Sequence, residues 1–153
     1  MSWQCRLIEM VGTREVHFDP PPGGGICGKT LLVDVAGGEH DYDDLPVGTM
    51  FALPDGAHDG WPWYCAKEEN LSDYYRQHNS GRRPLFVILP GRHLFLIDGK
   101  CCSDGKRYGG WMVSGVAPLI TVSPSINIGD SYHGWLQNGV ISDDCEGRRF
   151  DGM

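Results

Sequence analysis

A chain of 153 residues suits one domain spanning 1–153 and leaves no room for a second with its own core. Hydrophobic residues at 41%, with five Trp, supply enough apolar surface to offset the entropy of ordering, which excludes a disordered chain. Thirteen Lys and Arg against twenty Asp and Glu leave a formal charge of -7, which argues against nucleic acid and anionic membrane as partners. Arg82–Arg83 and Arg148–Arg149 are too small to form a basic patch against that field.

The first residues, MSWQCRLIEMVGTREVHF, mix Arg6, Glu9, Arg14 and Glu15 into the apolar positions, so no signal-peptide core is expected there. Strands are predicted over Cys5–Met10 and Arg14–Phe18. GGGICGKT, Gly23 to Thr30, then spells a phosphate-binding loop. That chemistry needs a strand entering the glycine turn and a helix leaving it, with amides and dipole facing the phosphates. Pro20 to Pro22 block the strand, and LLVDVAGG after Thr30 favours a short strand over a helix. The spelling therefore reads as a glycine-rich connector followed by a strand at Leu31–Val35.

HDYDD, His40 to Asp44, gathers three carboxylates but lacks calcium-loop spacing, and reads as a solvated acidic loop. A strand is predicted over Thr49–Leu53. The aromatics of GWPWYC, Trp61, Trp63 and Tyr64, either pack on the core or present an adhesive surface, and packing is the preferred reading. Leu71, Tyr74, Tyr75 and His78 recur at helical spacing before Gly81, which predicts one helix with that face buried.

FVILPGRHLFLID predicts a hairpin of Leu85–Leu89 and His93–Ile97 around a type II turn at Pro90–Gly91. Its last residue, Asp98, imitates a magnesium-holding strand end, a weak signal. Further strands are predicted over Trp111–Ser114 and Leu119–Val122. The last predicted pair, Gly134–Leu136 with Val140–Ser142, closes on Asn138–Gly139, which suits a type I′ turn. The predicted fold is mainly β: a β-rich α+β domain, built as a small sandwich or rolled sheet with one short helix.

The candidate chemistry is sparse. Six cysteines without a C-x-x-C pair read as mostly reduced thiols in a cytosolic setting. Cys101–Cys102 stands beside Lys100, Lys106 and Arg107, which lower a thiol pKa, although an exposed loop thiol without a role is the plainer reading. His133 and Cys145 flank the last hairpin, whose arms bring them together. Either they form a two-ligand corner of a zinc site or they pack locally. Ser123 and Ser125 in SPSI lie beside Pro124 with no base identifiable in the sequence. No catalytic constellation is read.

The run ITVSPSINIGDSYHGWLQNGVISDDC, Ile120 to Cys145, resembles the ending of a family of small tailed-phage proteins, some of them automatically mislabelled as ammonia monooxygenases. Ser123, Pro124, Ser125 and Ile126 match its Ser-Pro-Ser-Ile strand, His133, Gly134 and Trp135 its His-centred strand, and Asn138–Gly139 its hairpin turn. LPVGTMFALP, with Val47 inserted between Pro46 and Gly48, and RPLFVILPGRHLFLID resemble its upstream parts. The likeness covers roughly Leu45 to Cys145.

Some of that family carry Cys or His just before the His-centred strand, which implies zinc there. This chain has Asp130, Ser131 and Tyr132 instead, while Cys145 matches a cysteine found after the final hairpin.

The resemblance implies a phage-encoded protein, and the small acidic domain is read as a non-enzymatic interaction protein acting in the host cytoplasm on a host or phage protein. Its rival is a virion part contacting capsid or tail proteins, with a homo-oligomer compatible with either. A third reading is a metal- or thiol-dependent enzyme through His133, Cys145, Cys101 or Cys102. No other cofactor is expected.

Overall fold

Apolar alternation decides which segments extend, and the computed structural model describes them over residues 1–18, 27–57, 63–103, 106–108 and 110–150. The side chains of Phe18, Cys27, Tyr64 and positions 101–103 and 106–108 are outside that description. Fourteen short strands run in chain order among these residues. They are β1 Trp3–Gln4, β2 Arg6–Leu7, β3 Met10–Phe18, β4 Cys27–Asp34, β5 Glu39–His40, β6 Thr49–Ala52 and β7 Leu85–Leu89. β8 His93–Leu96, β9 Cys101–Ser103, β10 Lys106–Tyr108, β11 Met112–Ser114, β12 Thr121–Ile128, β13 Tyr132–Gln137 and β14 Val140–Ile141 follow. One α-helix, α1 Asp73–His78, stands among them. The molecule is mainly β, as its turn-rich sequence predicts.

Two sheets carry most of the core. A five-stranded sheet has the order β1-β14-β13-β12-β11, and a four-stranded sheet the order β2-β6-β7-β8. β7 reads LFVIL without alternation because all five residues are buried, as a central strand covered on both faces requires. β13, YHGWLQ, alternates instead: Tyr132, Gly134 and Leu136 face inward, and His133, Trp135 and Gln137 face out. Met50, Phe51, Phe86, Val87 and Ile88 from the four-stranded sheet join Val122, Ile126, Tyr132, Leu136 and Ile141 in one buried cluster. A three-stranded sheet, β3-β4-β5, adds Met10 and Leu32.

Several expectations change in detail. The single strand predicted over Cys5–Met10 is split, because the chain crosses between sheets at buried Cys5. The Cys5 N–H donates to the Gly139 carbonyl at 2.7 Å, whereas that of Arg6 donates to Gly48 at 2.9 Å. The helix begins after Leu71: Ser72 caps it by accepting the Tyr75 N–H at 3.0 Å. Tyr75 is buried, but His78 is exposed and stacks on Tyr74 at 4.2 Å, so the predicted buried face is half right.

Both predicted hairpins form. Leu89 pairs with His93, and the loop takes positive φ at Gly91 (86°) and also at Arg92 (59°), one residue longer than a two-residue turn. Asn138 (48°) and Gly139 (76°) adopt the expected type I′ signs. A Cβ at Gly139 would stand 2.7 Å from the Pro118 carbonyl oxygen, so this turn needs glycine twice over.

Asp98 has a structural task. Its fully buried carboxylate accepts both Arg82 guanidinium nitrogens, at 2.6 and 2.9 Å, and the Leu85 N–H at 2.8 Å. A bidentate arginine with a backbone donor satisfies a buried charge, which explains the Asp at the end of this apolar run.

The phosphate-loop spelling ends in a strand. Gly23 to Ile26 lie outside the described residues, but Cys27 to Thr30 extend as the start of β4, with Lys29 opposite Val16 and Thr30 opposite Glu15. Lys29 pairs with Asp41 at 2.5 Å and the Thr30 hydroxyl donates to Glu15 at 2.8 Å. An extended strand offers no helix N-terminus to a phosphate. The acidic loop is less free than its composition predicts. Asp41 holds Lys29 and also caps a 3-10 turn at Tyr42–Asp44 by accepting the Asp43 N–H, while His40 meets Asp34 at 2.7 Å. Trp63 is buried edge-on to Phe86 at 5.6 Å, the packing role preferred for it, whereas Trp61 lies outside the described residues.

Candidate functional site

The outward face of the five-stranded sheet gathers Ser123, Ser125, His133 and Trp135 from among the residues that the family resemblance singles out. β12 and β13 pair antiparallel, with Ile126 opposite Gly134, Asn127 opposite His133 and Ile128 opposite Tyr132. Between Val122 and Ile126 the register shifts, and Pro124, which cannot donate to a ladder, falls in that irregularity. Since Val122 and Ile126 are buried, Ser123 and Ser125 beside them turn outward, onto the face that carries His133 and Trp135.

Ser125 therefore has a partner that sequence reading missed. Its Oγ lies 3.1 Å from His133 Nε2, and His133 Nδ1 lies 2.7 Å from a carboxylate oxygen of Glu146. A carboxylate only accepts, so in the neutral ring the imidazole proton sits on Nδ1 and the Nε2 lone pair faces the serine hydroxyl. The sequence identifies no base beside Ser125, and the strand register is what brings the His133 ring to it. Residue pattern alone stops one strand at Val122 and begins the next at Gly134, whereas the family resemblance extends them over Ser123–Ile126 and from His133, and the structure carries both further, to Ile128 and from Tyr132. Ile126, Ile128 and Tyr132 alternating around the Gly129–Ser131 turn were the signal for this hairpin. No sequence signal places Glu146.

The C-terminal turn is built around His133. The backbone N–H of His133 donates to Asp144 Oδ1 at 2.7 Å, and its carbonyl accepts the Cys145 N–H at 2.6 Å. The other Asp144 oxygen accepts the N–H groups of Glu146 (3.1 Å) and Arg148 (2.9 Å) and the Arg148 Nε at 3.0 Å. Burial pushes the Asp144 carboxyl up. The hydrogen bonds from Arg148 and the His133 N–H, with the Arg148 charge, outweigh that and hold it at about 2. Arg148 also reaches back to the Gly129 carbonyl at 3.2 Å, tying the turn to the far end of the hairpin.

Below the sheet, Gly134 leaves room for Tyr132. A Cβ there would collide with the Tyr132 hydroxyl and stand 2.8 Å from Ser142 Oγ, so the absence of a side chain lets the buried tyrosine lie across its own strand. The Tyr132 hydroxyl then donates to the Ser142 carbonyl at 2.8 Å.

His133 and Cys145 are brought together as the hairpin predicts, but through main-chain atoms. Both ring nitrogens of His133 are engaged, and Cys145 is exposed. A zinc ion on this imidazole would have to displace Ser125 or Glu146. Among the described residues no three His, Cys, Asp or Glu groups are arranged to hold a metal. The side chains of Cys101 and Cys102 lie outside the description. Cys5, Cys65 and Cys145 are free thiols, and burial pushes the Cys5 thiol up to about 11, so it stays protonated at neutral pH.

Among the described residues no helix is long and apolar enough to cross a membrane. Comparison of the chain with protein-family models, with curated proteins and with solved structures gives no match.

Proposed function

We propose that this chain is a small interaction protein of a tailed bacteriophage, engaging a host or phage protein in the infected cell through the outward face of its five-stranded sheet. The observation that carries this reading is the exposure of two large apolar side chains there. Met112 is 58% and Trp135 42% exposed, and the register Met112 opposite Ser123 sets them on one face with the polar Ser123. Tryptophan and methionine are enriched where protein surfaces meet, and a strand facing only water would be expected to carry polar residues at these positions. The charge of -7 favours a partner with a basic rim, because complementary fields speed and orient docking. The resemblance over Leu45 to Cys145 supplies the phage setting.

The test is capture from infected cells with tagged wild type, the Met112→Ser/Trp135→Ala double variant and a control at Val35, an exposed residue outside that sheet. A partner recovered at fixed stoichiometry by wild type and by Val35→Ser, and lost from the double variant, supports the reading. Equal recovery by all three chains overturns the assignment of this face. Counting the chain against the major capsid protein in purified particles tests the setting: a fixed stoichiometric count makes it a virion part instead.

A further inference from the structure

We propose that Ser125 is a nucleophile, with His133 as its base and Glu146 as the group that positions the imidazole, acting on activated esters at the open face of the C-terminal sheet. The arrangement has the two contacts that link nucleophile to base and base to positioning carboxylate, recognised by geometry and role and not by sequence order. Ser125 Oγ is 3.1 Å from His133 Nε2, and His133 Nδ1 is 2.7 Å from Glu146. Glu146 fixes the tautomer, so the free lone pair of the ring faces the hydroxyl. The imidazole is held from a second direction, because residues 144 and 145 grip both the N–H and the carbonyl of His133.

The site is accessible. Ser125 is half-buried on the outward face, and the His133 side chain keeps 26% of its surface. Trp135, two residues along β13 on the same face, offers an exposed indole against which a flat leaving group can pack. That points to esters of small acids with aromatic alcohols.

In the reaction, the Ser125 oxygen bonds to the carbonyl carbon while its proton passes to His133 Nε2. Collapse of the tetrahedral adduct breaks the bond to the leaving phenolate, which takes that proton. Water attacks the acyl-serine next, giving its proton to the same nitrogen. Collapse of this second adduct breaks the bond from the acyl carbon to the Ser125 oxygen, which takes the proton back from His133 Nε2, and the free acid departs. Ser125 and His133 touch the reacting atoms; Glu146 acts through the ring.

Labelling of the purified chain by an alkyl fluorophosphonate tests this. In that reaction the serine oxygen bonds to phosphorus, the P–F bond breaks, and fluoride leaves with the proton taken up by His133. Intact mass and peptide mapping should find one adduct, on Ser125, absent from Ser125→Ala and formed at least about tenfold more slowly by His133→Gln. Glu146→Gln alters a side chain 58% exposed, so the fold is kept while the labelling slows. It should also remove the downfield Nδ1–H proton resonance of His133, which a merely structural role for Glu146 in the turn would not predict. No adduct on Ser125, or equal rates in wild type and a folded His133→Gln, overturns the proposal. Should His133→Gln fail to fold, Glu146→Gln decides it: an unchanged rate with an unchanged imidazole resonance overturns the proposal as well.

Discussion

The N-terminal sheet β3-β4-β5 and the C-terminal hairpin β12–β13 are both antiparallel ladders, yet they hold themselves together by opposite means. From the first, among the described side chains, only Met10 and Leu32 enter the buried core, and its polar contacts lie nearer the surface: Arg14 to Glu39 at 2.5 Å, Lys29 to Asp41 at 2.5 Å and His40 to Asp34 at 2.7 Å. From the second, Val122, Ile126, Tyr132 and Leu136 are all buried, and the polar groups of the following turn converge on one desolvated carboxylate, Asp144. Charge pairs that keep contact with water leave a strand freer to adjust, whereas a buried carboxylate that accepts four hydrogen bonds fixes the backbone around it. The Ser125–His133–Glu146 contacts are found beside this second kind of support.

Truncating the core on each side breaks the comparison most strongly. Leu136 and Leu32 are both fully buried. Leu136→Ala, inside the large cluster, is expected to cost about 3–5 kcal/mol of global stability in urea unfolding. Leu32→Ala is expected to cost about 2–3 kcal/mol, with the loss of amide-exchange protection concentrated in β3 to β5. Equal loss of protection throughout the chain in both variants would show that the N-terminal sheet is not separately anchored.

Overfilling comes next in size. Gly134→Ala forces a methyl group into the space of the Tyr132 hydroxyl. About 1–3 kcal/mol of destabilisation is expected, with the Tyr132 fluorescence or ring resonances shifted. A neutral Gly134→Ala would mean that the tyrosine has another place to go.

How much of this was legible follows from where the information sits. Strand positions were readable where period-two alternation is intact or the turn chemistry is explicit, as in Leu85–Leu89 and around Asn138–Gly139. The hairpin carrying the site was read short because Pro124 lies inside β12, and proline usually argues against a strand. A register irregularity accommodates it, a tertiary outcome that residue preferences do not encode. The strand that follows the phosphate-loop spelling was readable from its flank alone, since β-branched residues act locally. His133 was singled out by its position, but its partners were not. Ser125 is eight residues away and meets it only once the register is set. Glu146 is thirteen away and depends on the turn that Asp144 organises.

That organising role gives the third prediction, through pH. The Asp144 carboxyl is held at about 2 against an ordinary value of 3.8. A depressed folded-state value contributes stability that is fully present above 3.8 and is lost as the pH falls through the folded value, near 2. Asp144→Asn removes the charge but keeps an acceptor for the His133 N–H. Wild type should therefore be the more stable chain at pH 6. The gap between the two unfolding midpoints should narrow as the pH is lowered from about 4 to about 2. A gap independent of pH would mean that the carboxylate matters for its shape alone and that its charge contributes nothing to holding the turn.

The smallest effects are expected where the structure shows the most conspicuous ion pairs. Arg14 is held by Glu39 through two short hydrogen bonds, at 2.9 and 2.5 Å, and its charge is correspondingly favoured. Yet both side chains are about half exposed, at 54% and 40%, so solvent and salt screen the attraction and ordering two long side chains offsets much of the rest. Arg14→Ala and Lys29→Ala should each leave the urea midpoint within experimental scatter, and raising the salt should erase any difference that low salt reveals. A clear, salt-resistant loss in either variant would place the N-terminal ladder in the same class as the Asp144 turn. The contrast between the two regions would then lie in the depth of their cores and not in how their charges are solvated.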